Sequence, residues 1–171
     1  GKAKLQAELG VSKDKAEDLF AIYHQRVPFV KTLMKSVSNR AQQRGQIRTL
    51  LGRLCRFHLW EPNRFGINKA LPFEQAVQEH GQGNIRRAYT YKALNKLIQG
   101  SAADMTKKSM LDLYKEGIIA HIQIHDELDL SVESPEQAKK VVEIMENAVK
   151  LDVPNKVDYE SGKNWGDIYD K

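Results

Sequence analysis

The 171-residue sequence predicts an α+β fold in which long helices pack on a small antiparallel sheet. Apolar residues recur at helical spacing over several long segments, and shorter segments alternate apolar with polar residues, which is typical of paired strands. Glycine and proline lie between these segments, where helices end and chains turn. Together these three features favour helices connected through β-hairpins.

Two helices are predicted in residues 1–44. Ser12 is a suitable N-cap, and Asp14 lies in the first turn, where the helix dipole favours an acid. That helix should end before Pro28, because a proline disfavours helical geometry at the residue before it. Pro28 suits the first turn of the second helix, and Gly45 is a suitable C-cap for it.

A hairpin, a connection and a long helix are predicted next. Both arms of residues 45–60 alternate around Leu51-Gly52-Arg53, which predicts a basic β-hairpin. Residues 61–83 contain several glycines and prolines and predict a loop-rich connection, with a helical turn from Phe73 to Glu79. Apolar spacing from Asn84 to Glu116 predicts one long helix.

A second hairpin opens the remaining part of the chain. Ile118–Ile124 and Leu128–Val132 are strand-like and flank His125-Asp126-Glu127. Pro135–Lys150 predicts an amphipathic helix, and Val157–Glu160 predicts a last strand.

Composition excludes several classes of protein. No apolar run approaches the roughly 20 residues that a membrane span needs, which excludes an integral membrane protein. The strong periodicity excludes a disordered chain. Cys55 is the single cysteine, so an intramolecular disulfide and most zinc sites are excluded. We therefore expect a reducing cytosolic setting and no membrane partner.

The net charge of +5 conceals two oppositely charged halves. Residues 1–100 carry a net charge of +11, and residues 101–171 carry −6. From Leu19 to Trp60 there are eight lysines and arginines and no acid. Such a stretch is typical of a surface that faces a polyanion, although a solvated surface balanced elsewhere in the fold is the alternative.

Three groups of residues are candidates for chemistry. Asp126 and Glu127 lie at the predicted strand junction, where carboxylates can hold Mg²⁺ beside phosphates; ordinary turn acids are the alternative. Asn95 and Gln99 share one helix face, and their amides suit the acceptors of the DNA minor groove, unless they only flank a helix contact. Residues 45–53 can direct guanidinium and hydroxyl groups toward phosphates, or form a generic basic hairpin.

In this order the three groups resemble the motifs of family A DNA polymerases. The matching segments are Gly45–Arg53, Asn95–Asp104, Gln123–Glu127, Leu151–Pro154 and Gly162–Trp165, and the resemblance spans essentially the whole chain. It implies a partial polymerase fold: residues 1–44 as the end of the fingers, 45–60 as the basic hairpin, 61–83 as a connection and 84–171 as a palm portion. The expected partners are primer–template DNA and a dNTP, and the expected cofactor is Mg²⁺.

The resemblance also implies roles for individual residues. Asp126 matches the palm metal ligand, Glu127 lies beside it, and His125 is expected near the primer terminus. Further DNA contacts are expected from Arg48, Thr49, Arg53, Asn95, Gln99, Gln123 and Lys92. Lys92 follows Tyr91, which stands where many members of the family have an arginine.

Two parts of the family's catalytic machinery have no match in this sequence. These are the palm strand with a second essential aspartate and the fingers helix that binds the nucleotide. Two-metal phosphoryl transfer needs both groups of residues. We therefore expect the isolated chain to be inactive and to need the N-terminal remainder of a polymerase, encoded in the same gene or a separate one. A non-catalytic nucleic-acid-binding module on a palm scaffold is the alternative function.

Overall fold

The computed structural model describes residues 2–66 and 68–169, except for the side chain of residue 169. It divides into two compact units, Gly1–Ile98 and Gln99–Lys171. The α+β class is confirmed, but the described strands form three separate two-stranded antiparallel sheets. Gly1, Ile67, Asp170 and Lys171, which fall within predicted segments, lie outside the described residues.

The first unit begins with three helices, α1 (Lys2–Leu9), α2 (Lys13–Arg26) and α3 (Pro28–Arg44). The Ser12 side chain accepts a hydrogen bond from the Lys15 N–H at the start of α2, which confirms the predicted N-cap. Helix α3 ends at Gly45, whose φ of 67° is left-handed. Glycine adopts this conformation without a Cβ penalty, so Gly45 can turn the chain directly into the hairpin.

The predicted basic hairpin is present. Strand β1 (Gln46–Arg48) pairs with β2 (Leu54–Arg56), and Ile47 lies opposite Cys55. Ile47 and the following Phe57 are buried with Val37 and Ala41 of α3. The hairpin is therefore fixed to the end of α3 by apolar packing.

The connection that follows is more regular than predicted. Strand β3 (Trp60–Pro62) pairs with β4 (Ile85–Arg87), and helix α4 (Phe73–His80) lies between them in the chain. A 3₁₀ turn, Gln82–Asn84, precedes β4. Two strands in this region were therefore missed by sequence analysis.

The predicted helix from Asn84 to Glu116 is wrong at its N-terminal end. Residues 85–87 form β4, Thr90–Lys92 form a 3₁₀ turn, and helix α5 covers Ala93–Lys115. The apolar spacing fits a helix, but the backbone of residues 85–87 bonds to β3 instead. Tyr89, with a left-handed φ of 61°, interrupts the path between strand and helix.

The second unit contains the second hairpin and helix α6 (Pro135–Asn147). Strands β5 (Ile122–Ile124) and β6 (Glu127–Asp129) are shorter than predicted. The core here contains Leu113, Ile118 and Val141, and the Lys140–Glu116 ion pair, at 2.7 Å, joins α6 to the segment after α5.

The predicted last strand, Val157–Glu160, is wrong. The described backbone there has no strand assignment, and the Val157 N–H donates to the Glu146 side chain at 3.2 Å. Alternating sequence favours a strand only where a neighbouring strand accepts its backbone hydrogen bonds. Helix α7 (Gly166–Tyr169) follows. Among the described residues, no helix is both long and apolar enough to cross a membrane.

Candidate functional site

The turn between β5 and β6 contains the candidate carboxylates. Ile124 pairs with Glu127, so His125 and Asp126 form the connection. His125 has a φ of 51°, an uncommon conformation for a residue other than glycine, and its carbonyl accepts from Gln123 Nε2 at 2.5 Å. The turn is therefore tight, and its conformation is fixed by the strand that precedes it.

Asp126 and Glu127 are both exposed at this turn. Their oxygens are of the kind that Mg²⁺ prefers, and Mg²⁺ in phosphate-transfer sites is commonly held by one or two carboxylates together with substrate phosphates. Among the described residues, no group of three or more His, Cys, Asp or Glu side chains is placed to hold a metal ion. The two carboxylates of this turn could therefore supply only part of the ligand set of a Mg²⁺ ion.

Asn95 and Gln99 both lie on α5, four residues apart, and both are exposed. Their amide groups can donate and accept hydrogen bonds. Their exposure is compatible with contact to an external partner, and the minor-groove role stays a prediction.

The basic hairpin does not direct all its predicted residues outward. Arg48 is exposed, and one guanidinium nitrogen donates to the Gly52 carbonyl at 2.9 Å; Arg53 is also exposed. Thr49 is only 6% exposed, and its hydroxyl oxygen accepts from the Arg53 N–H at 3.0 Å. The hydroxyl of Thr49 therefore supports the turn that carries Arg53 and does not project from the hairpin as expected.

Strand register identifies a further cation of the hairpin. Arg48 is paired with Leu54 and Gln46 with Arg56, so these four residues share one face of the two strands. Arg56 is exposed on this face beside Arg48. Sequence analysis counted Arg56 among the basic residues but did not select it, although the two-residue alternation was a usable signal.

Arg87 holds the hairpin in place. Its Nε donates to the Gln42 carbonyl at 3.2 Å, and a terminal nitrogen donates to the Phe57 carbonyl at 2.9 Å. Its guanidinium carbon lies 4.5 Å from the centre of the Trp60 ring. A Cβ built on Gly45 would lie 2.7 Å from this guanidinium. Arg87 therefore joins the end of α3, the end of β2 and β3. Sequence analysis missed this role because it predicted that residue 87 lies in a helix.

One core brings two of the candidate segments together. Ala93, at the start of α5, is buried with Ile47 and Phe57 of the hairpin, and Leu97 packs against the same cluster. The first unit thus holds Arg48, Thr49, Arg53, Lys92 and Asn95, whereas Gln99, Gln123, His125, Asp126 and Glu127 belong to the second.

Comparison with known proteins identifies the family. The model of DNA polymerase family A matches residues 1–167. A DNA-directed DNA polymerase of Pseudomonas phage M6 is 36% identical over 86% of this chain, and DNA polymerase I of Bacillus caldotenax is 36% identical over 95%.

A solved structure gives the same result. The polymerase domain of Pol1 from M. smegmatis, in complex with a DNA primer-template and a dNTP, is 28% identical and matches with a TM-score of 0.65. The match covers 90% of this chain and 26% of that structure. The chain spans 19% of the phage protein and 18% of the Bacillus protein. From its motifs, its fold and these matches, the chain belongs to DNA polymerase family A.

Proposed function

We propose that this chain is the C-terminal part of a DNA-directed DNA polymerase, in which it supplies one palm carboxylate and contacts to the primer–template. The observation that carries the proposal is the exposed Asp126 in a tight turn between two paired strands, within a chain of this family. The reaction is attack of a primer 3′-hydroxyl on the α-phosphate of a dNTP, with pyrophosphate as the leaving group.

Asp126 is the proposed metal ligand, and Glu127 lies next to it in the turn. When Mg²⁺ is bound, it supplies stabilisation for negative charge that develops on the reacting phosphate. His125 has a left-handed φ, and this backbone conformation determines the direction in which the chain continues to Asp126. We assign the His125 side chain to the primer terminus, and the bond from Gln123 to the His125 carbonyl stabilises this arrangement.

The proposed DNA contacts are of two kinds. Arg48 and Arg53, on the hairpin, contact phosphates and carry no sequence information, and Thr49 positions Arg53 through the turn. Asn95 and Gln99 reach minor-groove acceptors, which lie at nearly the same positions in every correct base pair. They can therefore detect base-pair geometry without reading sequence.

The proposed function needs a partner segment, the N-terminal remainder of the polymerase, with further carboxylates and the dNTP-binding cations. Several large apolar side chains of the second unit are exposed: Ile119 is 63% exposed, Ile122 is 42% exposed and Val132 is 37% exposed. We expect the N-terminal remainder to cover these side chains in the intact polymerase.

Asp126→Asn tests the catalytic assignment in the intact polymerase. It should reduce primer extension by about three orders of magnitude or more, because the charge acts mainly on the transition state, while the affinity for primer–template changes little. His125→Ala should cost less. The matched control is Glu143→Gln, which removes an exposed carboxylate of α6 and should leave extension unchanged.

Normal extension by Asp126→Asn would contradict the assignment. If the intact wild-type protein binds primer–template but adds no nucleotide, the chain belongs to a non-catalytic nucleic-acid-binding module instead.

A further inference from the structure

Two lysines at the start of α5 lie over aromatic rings. Lys92 Nζ is 5.1 Å from the ring centre of Tyr89 and 5.7 Å from that of Tyr91, and Lys96 Nζ is 4.9 Å from that of Phe57. Within the described part of the chain, neither lysine takes part in an ion pair. A ring attracts a cation without neutralising it, so both charges remain available to an external anion.

The rings also restrict where the two charges lie. Phe57 is only 3% exposed and belongs to the core cluster that contains Ile47 and Ala93, so the ring beneath Lys96 is fixed. Tyr89 adopts a left-handed φ of 61°, and its carbonyl accepts from the Lys92 N–H at 2.9 Å. A side chain that is already held in position loses less freedom on binding, which favours affinity.

The spacing of the lysines fits a polyanion with regularly repeated charges. Lys92 closes the 3₁₀ turn that leads into α5, and Lys96 follows four residues later, about one helical turn and roughly 6 Å along the axis. Phe57, beneath Lys96, directly follows Arg56 of the basic hairpin. The two ammonium groups are point charges without the planar fork of arginine, which suits phosphate contact more than base recognition.

We propose that Lys92 and Lys96 form a two-point clamp on the phosphates of one DNA strand, with the rings of Phe57, Tyr89 and Tyr91 as its supports. The proposal rests on the polymerase function proposed above and adds Lys96 and the three rings to the residues that the motifs indicate. The anion is the DNA backbone rather than the triphosphate of the dNTP, because the clamp continues the phosphate-binding hairpin within one packed unit.

The test is the salt dependence of primer–template binding by the intact polymerase, measured by fluorescence anisotropy. Lys92→Gln and Lys96→Gln should each reduce the slope of log K against log salt by about 0.9, and should each weaken binding about eightfold near 0.1 M salt. Lys107→Gln, which removes an exposed lysine elsewhere on α5, is the matched control and should change neither quantity. The KM for dNTP should remain unchanged in all three variants.

Variants of Tyr91, which is 69% exposed, test the role of the rings without disturbing the core. Tyr91→Phe keeps the ring and should bind as wild type. Tyr91→Leu should weaken binding about two- to fivefold with an unchanged salt slope, because the charge remains but loses its support.

Three results would overturn the clamp. The first is a salt slope of DNA binding that is unchanged in the double variant Lys92→Gln/Lys96→Gln but lowered in Arg48→Glu/Arg53→Glu. This result would refute the clamp and leave the proposed function intact. The second is a raised KM for dNTP with normal DNA affinity, which would identify the triphosphate as the ligand. The third is an equal loss in Lys107→Gln. If no basic variant alters DNA binding, the proposed function itself fails.

Discussion

Replacing Gly45 by alanine should lower the local stability of the basic hairpin by more than the backbone strain at residue 45 alone accounts for. Gly45 has a φ of 67°, and a Cβ there would lie 2.7 Å from both Cζ and Nη1 of Arg87. Ordinary contact needs about 3.5 Å or more, so the guanidinium must move by nearly 1 Å. Its bonds to the carbonyls of Gln42, at 3.2 Å, and Phe57, at 2.9 Å, are then strained or broken.

The expected cost has two contributions. A non-glycine residue in the left-handed region costs about 1–2 kcal/mol. Loss of one hydrogen bond from a charged donor costs about 2 kcal/mol. Together these predict a loss of about 3–4 kcal/mol in the local stability of the hairpin. Gly52→Ala supplies the matched control, because Gly52 has a φ of 88° and nothing within 4 Å of its added Cβ, so only strain applies.

Amide hydrogen exchange of the hairpin measures this local stability within the intact protein. The Phe57 N–H bonds to the Gly45 carbonyl at 2.8 Å and is the reporting amide. Its exchange should accelerate by a hundredfold or more in Gly45→Ala, but only about 5- to 30-fold in Gly52→Ala. In an Arg87→Ala background the difference between the two glycines should disappear. Equal acceleration in the two single variants would refute the steric argument.

Two further predictions concern the second unit. Gln99→Ala should slow nucleotide addition and change extension from a mismatched primer end more than duplex affinity, in single-nucleotide extension assays; unaltered kinetics would favour a packing role. The hydrogen bond and charge of Lys108, with a smaller effect of Lys115, hold the pKa of Asp112 below its ordinary value of 3.8. Because the folded-state pKa is lowered, this stabilisation is present at neutral pH and is lost as the pH falls through the folded-state pKa. Asp112→Asn should therefore lower the Tm at pH 7, whereas well below pH 3.8 the Tm of the variant should equal that of the wild type. A difference in Tm that persists at the lower pH would contradict the assignment.

Features set by neighbouring residues could be predicted from the sequence. The Ser12 cap and the Gly45 C-cap depend on groups within one turn, and both are confirmed. The pairing of β1 with β2 follows from two-residue alternation, although the paired residues are fewer than the predicted 45–60, and the order of motifs correctly indicated the family. Asp126 and Gln99 are exposed, and their catalytic and DNA-contact roles stay predictions.

Features set by distant segments needed the tertiary structure. Arg87 was assigned to a helix, because apolar spacing from Asn84 onward fits a helix as well as it fits a strand followed by a turn. Its actual contacts join it to carbonyls 30 and 45 residues earlier in the chain. The inward position of Thr49 and the place of Lys96 over Phe57 depend in the same way on how the hairpin packs against α3 and α5. Periodicity reports which face of a segment is apolar, whereas the partner of that face is decided by the free energy of packing over the whole unit.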